Sequence, residues 1–483
     1  MTKAVPALAL SLLISGVLAA SFLTNYENWG DDWAGYLLQA KSVLEGRPRA
    51  YLAENTFMVK NSSILVGPHA YPWGLPVILA LESRVAGFEL GVFKRFNVAF
   101  LLLLMAATWA LAARFVSAAS ALSIALMLGL NPGMLNYCNR ILSEFPFMLA
   151  TVSTFLLMEA TLHRPRGRTA AALALGAGAF LCFAIRTNGV AMLAAVSARQ
   201  LLPLWQAGFR RASRADWLRL VLPYAAFAVL QLVFTRMYPA AEEGHFEVLR
   251  GLTMGTIWEN LRTYPIAIFE FFTAGRGGSA VFALLLGPLV CWGAVKSFAR
   301  TGHITLYFAA TFAIYVLWPA GQGYRFMMPL VPFLLILLLS GVEHCAAAGR
   351  WARFAGPGGT ALRFGLPAVF LTASVWLLAA GRLPREAWHP QEPASTELFA
   401  WIRANTRRED LIGFFKPRVM HLLGERVSLT TGVPDAGKLA YLVSAGPRPW
   451  NELEPGRAEY ERVVRLEPVF ANEVFRVYRV SKR

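Results

Sequence analysis

Long apolar segments are the feature that most constrains how this chain can fold. A helix needs about 20 predominantly apolar residues to cross the hydrocarbon core of a bilayer, and segments of this kind recur along all but the last part of the 483 residues. Only 16% of the residues are charged, against roughly 25% in soluble domains. The sequence therefore predicts a mainly α-helical, polytopic membrane protein with about eleven transmembrane helices. The candidate spans are 4–23, 96–113, 118–135, 146–162, 169–185, 189–204, 218–237, 279–295, 304–319, 326–342 and 365–381.

The basic residues indicate how these spans are oriented. The formal net charge is +17, but Arg and Lys fall in short clusters between apolar runs, as the positive-inside bias places them. No nucleic-acid partner is needed to explain the charge. If the N-terminus is cytoplasmic and the short segment 71–87 does not cross, these basic positions between the spans all lie inside: Arg114, 163–168, 210–219, Lys296 with Arg300, and 349–354. We therefore expect 71–87 to lie along the outer interface, held by Tyr71 and Trp73.

Successive loops alternate between the two sides of the membrane, and this parity of the basic loops places the first loop, 24–95, on the outer face. A cleaved signal peptide is an alternative interpretation of the first span, because Lys3 precedes an apolar run that ends in "VLAAS". The run is long for a signal peptide, and the parity of the basic loops requires it to be retained. We therefore expect a cytoplasmic N-terminus.

The last hundred residues predict a second domain. From about Leu383 the chain turns polar, with a helix predicted over 395–410 and short β-rich runs after it, "DLIGFF", "KLAYLVS" and "VFRVYRV". We therefore divide the chain into a transmembrane domain, 1–381, and a small α/β domain, 382–483, on the outer face. Four widely spaced cysteines show no metal-ligand spacing and are interpreted as apolar filler: Cys138, Cys182, Cys291 and Cys345.

Two adjacent carboxylates stand at the outer end of the first span. Asp31 and Asp32 precede "WAGYLLQAKSVLEG", which predicts a helix that stops at Gly46. Capping of that helix is one interpretation, because Asp is favoured at a helix N-terminus. A functional interpretation gains weight from Glu144, a second acidic residue that lies just before span four on the same predicted face. Carboxylates at the lip of a membrane span need water, a cation or a substrate beside them.

Three further residues are predicted to lie on that face. They are His69 in "GPHAYPWG", Arg186 at the outer end of span five, and Arg325 where span ten begins. Each of the three has an alternative interpretation, in which it snorkels to lipid headgroups. Together with the carboxylates they predict a site for an anionic lipid, since Arg binds phosphate in a bidentate manner and a carboxylate serves as a general base.

The ordered motifs resemble those of the GT-C glycosyltransferases. The stretches "GDDWAGYLLQAKSVLEGRP", "GPHAYPWGLPVILA", "NPGMLNYCNRILSEFPF", "IRTNG" and "YRFMMPLVPF" follow one another over roughly residues 1–345. The resemblance is to the bacterial family 39-like branch, related to protein O-mannosyltransferases and lipid A aminoarabinose transferases. It implies a polyprenyl-phosphate sugar donor and an acidic base in the first outer loop.

That base maps to Asp32 or Asp31. Asp32 is preferred because Tyr36 falls one helical turn later on the same face, whereas Asp31 suits capping better. Glu144 matches the second outer acidic position. The departure from the mannosyltransferase pattern is Asp-Asp in place of Asp-Glu, which leaves the choice of base open.

The same resemblance implies where the substrate binds. Arg186 and Arg325 match places where basic residues approach the lipid phosphate. His69, Tyr36 and Tyr71 complete the expected substrate-binding set.

The sequence thus predicts an inverting glycosyltransferase of the inner membrane that moves one sugar from a polyprenyl phosphate to an envelope lipid, glycan or protein. The alternatives are a lipid or solute transporter and a structural assembly subunit. No cofactor or metal is required, although Asp31, Asp32 and Glu144 could hold a hard cation in principle.

Overall fold

The structure, a computed structural model, describes most of the chain. It covers residues 5–64, 66–161, 168–207, 213–240, 249–273, 275–319, 321, 323–347, 357–381, 388–446 and 457–483. Most of the predicted inner loops at 163–168 and 349–354, and the chain between the last span and residue 388, lie outside the described residues.

The helices of the transmembrane part and first loop are α1 (Val5–Ser21), α2 (Asp32–Leu44), α3 (Pro48–Asn61), α4 (Gly74–Ala86), α5 (Leu90–Ala112), α6 (Ala118–Gly129), α7 (Pro132–Cys138), α8 (Glu144–Thr161), α9 (Arg168–Ile185), α10 (Ala191–Ala207), α11 (Arg214–Met237), α12 (Met254–Ala267), α13 (Arg276–Lys296), α14 (Phe298–Val316), α15 (Tyr324–Met327), α16 (Val331–Ala347) and α17 (Pro357–Ala379).

Every predicted span overlaps one or two of these helices, but not all of the helices are long enough to cross a membrane alone. Within the described residues, four helical segments are long and apolar enough: Leu90–Ala112, Trp217–Met237, Arg276–Lys296 and Tyr324–Ala347. A fifth is α6 with α7, a pair bent by 53°. The described part of the chain therefore carries several helices that are long and apolar enough to cross a membrane, and the number eleven stays a prediction.

The bend between α6 and α7 has a local cause. Asn131 lies between the two helices and adopts an extended conformation, and its side chain accepts a hydrogen bond from the Met134 N–H. Pro132 follows it, and a residue before proline is disfavoured in the α conformation. Asn131 also donates to the Phe271 carbonyl at 2.7 Å. The predicted straight span over 118–135 is therefore two helices.

The segment predicted to be the first outer loop, 24–95, forms three short helices. α2 ends as predicted, with Gly46 in the left-handed region at φ +68°, where glycine carries no Cβ penalty. α4 corresponds to the segment 71–87. Its 13 residues span about 20 Å, less than the roughly 30 Å hydrocarbon core. Its length therefore agrees with a helix that does not cross.

The C-terminal part folds as a small α/β domain. Its elements are α18 (Pro393–Asn405), β1 (Ile412–Gly413), α19 (Pro417–Gly424), β2 (Ser428–Leu429), β3 (Tyr441–Ala445), α20 (Arg457–Tyr460), β4 (Val464–Ala471) and β5 (Phe475–Lys482). The sheet order is β2-β1-β3-β5-β4, with β1 parallel to β2 and β3, and β5 antiparallel to β3 and β4. The predicted strands are present.

The predicted helix over 395–410 is wrong at its end, since α18 stops at Asn405. Arg426 donates to the carbonyls of Arg403 and Thr406, which satisfies groups that a helix end leaves unpaired. Thr406 itself is extended at ψ 155°. A contact from 20 residues away therefore terminates the helix.

The first outer loop and the C-terminal domain share one hydrophobic core. Trp29 of the loop is completely buried and packs against Phe415 and Trp388 of the domain, with ring centroids 4.9 and 5.1 Å apart. Main-chain bonding adds to this contact, because the Ser63 N–H donates to the Thr430 carbonyl at 2.7 Å. The two regions therefore form a single body at one end of the helical bundle.

Candidate active site

Arg325 joins the two predicted acidic positions. It lies in α15, directly before α16, and its Nη1 donates to Asp32 Oδ2 at 2.7 Å. Its Nε donates to Glu144 Oε1, also at 2.7 Å. Asp32 and Glu144 are the first residues of α2 and α8, where the partial positive charge of a helix N-terminus favours a carboxylate. The predicted convergence of these three side chains is present.

Arg186 adds a second cation on the far side of Glu144. It stands between α9 and the short 3-10 helix Thr187–Val190, and its Nη1 donates to Glu144 Oε1 at 2.9 Å. Glu144 is 1% exposed, so one buried carboxylate oxygen is shared by two guanidinium groups. A buried carboxylate needs such pairing to offset its desolvation. Together with Asp32, the cluster therefore pairs two guanidinium groups with two carboxylates.

Two tyrosines line the side of the site formed by the first outer loop. Tyr71 O–H donates to Asp32 Oδ1 at 2.7 Å, and its ring lies 4.2 Å from that of Tyr36, centroid to centroid. Gln39 fixes the Tyr71 main chain with two hydrogen bonds, 2.9 Å to its N–H and 3.1 Å to its carbonyl. Tyr36, predicted to share the face of Asp32, and Gln39 therefore both lie beside this cluster.

Asp31 has a different environment from the one predicted. It stands at the N-cap position of α2, but its side chain makes no capping hydrogen bond. Its Oδ1 instead accepts a hydrogen bond from the Arg418 main-chain N–H at 3.2 Å, and its Oδ2 lies 3.9 Å from Arg418 Nε. The prediction that Asp31 caps the helix is therefore wrong, because α19 of the C-terminal domain docks on this carboxylate.

His69 lies beside α3. Its Nδ1 is 3.2 Å from Thr56 Oγ1, and its carbonyl accepts a hydrogen bond from the Asn55 side chain. The ring is 5% exposed. The structure therefore places His69 at the margin of the site, in the layer that supports Tyr71.

The carboxylates differ in accessibility and in pKa. The Asp32 side chain is 36% exposed, whereas that of Asp31 is 13% exposed. Burial raises the pKa of Asp32, but the charge of Arg325 and the hydrogen bonds from Tyr71 and Arg325 outweigh this effect, so its pKa lies below the usual value. Burial raises the pKa of Asp31 to about 6, against the opposing charges of Arg418 and Lys416. Asp32 is therefore the ionised carboxylate that a solute reaches.

Sequence reasoning missed the contribution of the C-terminal domain. Arg418 is completely buried, and its Nη1 donates to the Tyr71 hydroxyl at 2.9 Å. Lys416, two residues earlier, acts electrostatically on both Asp31 and Asp32. The only sequence signal was a basic pair in "FFKPRVM" directly after a predicted strand, which does not differ from an ordinary surface cluster.

The acidic residues do not form a metal site. Within the described ranges, no group of three His, Cys, Asp or Glu residues is placed to hold a metal ion. Arg325 occupies the space between Asp32 and Glu144 with two short hydrogen bonds, so a cation bridging these carboxylates would meet a guanidinium. The donor set present does not fit a divalent ion at this position.

Comparison with known proteins identifies the fold. No protein-family profile and no curated protein sequence matches the chain. Among solved structures, ArnT from Cupriavidus metallidurans bound to undecaprenyl phosphate is similar with a TM-score of 0.57 at 14% identity, covering 99% of this chain and 98% of that one. An oligosaccharyltransferase from Archaeoglobus fulgidus, in complex with Zn and sulfate, gives a TM-score of 0.57 at 13% identity, covering 90% and 68%.

The mycobacterial arabinofuranosyltransferase AftD gives a TM-score of 0.56 at 14% identity. This chain is covered to 99%, and it spans 42% of the AftD chain. All three are GT-C glycosyltransferases. The chain therefore shares the GT-C fold of these proteins, mainly helical with a small C-terminal sheet domain, and the number of eleven spans stays a prediction.

Proposed function

We propose that this protein is an inverting glycosyltransferase, which transfers one sugar from a polyprenyl phosphate to an acceptor at the outer face of the membrane. The observation that carries the proposal is the pairing of Asp32 with Arg325 at 2.7 Å. A carboxylate that solvent reaches and a guanidinium suited to phosphate lie side by side in a chain with the GT-C fold. These are the two groups that an acceptor and a phosphate leaving group require.

Asp32 acts as the general base toward the acceptor. The acceptor hydroxyl or amine loses its proton to an Asp32 oxygen while its own oxygen or nitrogen attacks the anomeric carbon of the donor. The bond between that carbon and the phosphate oxygen breaks, and the lipid phosphate leaves with the bonding electron pair. A single displacement of this kind inverts the anomeric configuration.

Arg325 and Arg186 stabilise the leaving group. Charge grows on the phosphate oxygen as the glycosidic bond breaks, and preorganised cations at that place lower the barrier. Because the phosphate departs as a stable anion, no protonating acid is needed. Glu144 holds both guanidinium groups in place, with contacts of 2.7 and 2.9 Å.

The surroundings of the site support a donor that is carried by a lipid. The cluster lies where membrane-crossing helices meet the outer loop and the C-terminal domain, so a lipid-borne phosphate can approach it from the bilayer. Among the similar structures, ArnT is bound to undecaprenyl phosphate, and the Archaeoglobus fulgidus AglB is in complex with an inhibitory peptide and a dolichol-phosphate. Both support a polyprenyl-phosphate donor here.

Mass spectrometry of envelope lipids, glycans and proteins tests this proposal. Cells that produce the wild type, Asp32→Asn, Asp410→Asn or no protein are compared. Asp410 is the matched control, because it is a buried carboxylate that pairs with Arg407 inside the C-terminal domain.

We expect one glycosylated species that is present with the wild type and with Asp410→Asn. It should be absent with Asp32→Asn and in cells without the protein. Its anomeric configuration, measured by NMR, is expected to be opposite to that of the donor. Identical profiles in all four strains would contradict the proposed function.

A further inference from the structure

Arg418 is a side chain of the C-terminal domain that reaches into the first outer loop. It lies in the first turn of α19 and is 0% exposed. Its guanidinium makes its hydrogen bonds outside its own domain: Nε donates to Asn55 Oδ1 at 3.2 Å, Nη1 to the Tyr71 hydroxyl at 2.9 Å, and Nη2 to the Pro68 carbonyl. The C-terminal domain therefore supplies a buried cation to the loop that carries the site.

These contacts continue to Asp32 in a fixed direction. Arginine has only donors, so Arg418 must use the Tyr71 oxygen as an acceptor. The single Tyr71 proton then points to Asp32 Oδ1, 2.7 Å away. We infer that Arg418 is a positioning residue, which orients Tyr71 so that this hydroxyl holds the Asp32 carboxylate for the reaction. The inference rests on the proposed function.

The loop is shaped to admit this side chain. A Cβ at Gly35 would lie 2.7 Å from Tyr71 Cε2 and 3.1 Å from Arg418 Cδ. A Cβ at Gly67 would lie 3.0 Å from Arg418 Nη1, and Gly67 has φ +102°, a conformation that favours glycine. Both glycines therefore leave the space that the Arg418–Tyr71 contact occupies.

Arg426 shows what a purely structural arginine of this domain does. It is 5% exposed, and it donates to Thr406 Oγ1 at 2.9 Å and to the carbonyls of Arg403 and Thr406 at 2.9 and 2.7 Å. All these partners lie in the C-terminal domain. Arg426 is therefore a matched control, with similar burial and hydrogen bonding but no connection to Asp32.

The chain of hydrogen bonds from Arg418 through Tyr71 to Asp32 forms a relay, and this relay also affects the protonation of Asp32. Arg418 adds a positive charge near Asp32, and Tyr71 donates a hydrogen bond to its ionised form, so both lower the Asp32 pKa. Removing either group is expected to raise that pKa, and the acid limb of the pH–rate profile then moves to higher pH. The other charged or titratable groups around Asp32 are Asp31 directly before α2, Tyr36 of α2, Arg325 of α15, Lys416 before α19, and Glu144, which accepts a hydrogen bond from Arg325.

The test uses the full-length protein with Arg418→Gln, Tyr71→Phe and the control Arg426→Gln. Sugar transfer is measured against pH, and the Asp32 carboxyl is titrated by infrared spectroscopy as the band that is lost in Asp32→Asn. For Arg418→Gln and Tyr71→Phe we expect kcat to fall roughly 10- to 100-fold per folded molecule. Both the acid limb and the infrared titration should move up by about one pH unit. Arg426→Gln should leave all three quantities at wild-type values.

If Arg418→Gln keeps the kcat and the Asp32 titration of the wild type, the inference is overturned. It is also overturned if Arg426→Gln shifts the Asp32 titration as much as Arg418→Gln does. If Arg418→Gln does not fold, Arg418→Lys and Tyr71→Phe decide by the same measurements, because both keep most of the packing. A wild type that transfers no sugar contradicts the proposed function. The infrared titration then still decides whether Arg418 and Tyr71 act on Asp32: a shift supports the relay and an unchanged titration overturns it.

Discussion

Arg325 donates from Nη1 to Asp32 Oδ2 across 293 residues of sequence, at 2.7 Å. This contact connects the start of a membrane helix with the first outer loop, and Glu144 at the start of α8 accepts from the same guanidinium. Because the N-terminal ends of two helices converge here, the place is favourable for anions. An arrangement that holds two carboxylates also suits the phosphate of the proposed donor.

Membrane orientation is the first prediction. In a background without Cys291 and Cys345, cysteine introduced at Lys60 of α3 or Lys482 of β5 should react with an impermeant maleimide in intact cells. Cysteine introduced at Lys296, at the end of α13, should react only after permeabilisation. The reason is the positive-inside bias of the basic loops. Labelling of position 296 but not of position 60 from outside would reverse the proposed orientation.

Trp29→Ala tests the hydrophobic core that the first outer loop shares with the C-terminal domain. The ring is completely buried between the loop and the C-terminal domain, so truncating it should cost about 3–5 kcal/mol of unfolding free energy. The melting temperature of the purified protein measures this effect. Trp292→Ala is the control, because Trp292 is 41% exposed and its removal should cost little. Equal melting temperatures for Trp29→Ala and the wild type would show that the core does not hold the two regions together.

Local signals predict this fold well where an element depends on its own residues. The α2 helix and its stop at Gly46 follow from apolar spacing and one glycine. The end of α18 does not, because Arg426 closes it from 20 residues away. The break at Asn131 has a local signal, the Asn-Pro pair, which a search for long apolar spans overlooks.

The candidate site, like the fold, can be predicted from the sequence only where no contact from a distant part of the chain decides. Charge parity places Asp32, Glu144 and Arg325 on one face, and the structure brings them into contact. Arg418 could not be found in this way, since its burial depends on how α19 docks onto the first outer loop. Asp31 was assigned to capping for the same reason, because its partner comes from 387 residues away.

Arg186→Leu should weaken binding of a polyprenyl phosphate. A lost charge-assisted contact costs roughly 1.5–3 kcal/mol, which corresponds to about a 10- to 150-fold higher Kd. Calorimetry with the lipid phosphate in detergent measures this change. Arg199→Leu is the control, since Arg199 pairs with Glu159 at 3.6 Å in a separate cluster. Unchanged affinity in Arg186→Leu and Arg325→Leu would leave both residues with a structural role only, as the partners of Glu144.

Asp31 should make the stability of the protein depend on pH. Its folded-state pKa, about 6, lies above the usual 3.8, so the folded protein binds this proton more tightly than the unfolded chain. The associated stability is full below pH 3.8 and is lost as the pH rises to about 6. Asp31→Asn should therefore be more stable than the wild type at pH 7, by on the order of 1–3 kcal/mol. Melting temperatures between pH 4 and 7 measure the difference, and one that does not grow with pH would contradict it.

Asp32→Asn is the decisive change for the proposed chemistry. The amide nearly preserves the shape of the carboxylate and removes the base, so sugar transfer should fall on the order of 100-fold or more while lipid-phosphate binding persists. Asp31→Asn should keep transfer, because Asp31 is shielded by α19 and only 13% exposed, whereas Asp32 is 36% exposed. The low pKa of Asp32 keeps it ionised at neutral pH, and geometry outweighs the greater basicity of Asp31, since a base must first reach the proton it accepts. Transfer that is abolished by Asp31→Asn and intact in Asp32→Asn would exchange the two roles. Transfer that survives both changes would remove the base from the proposed mechanism.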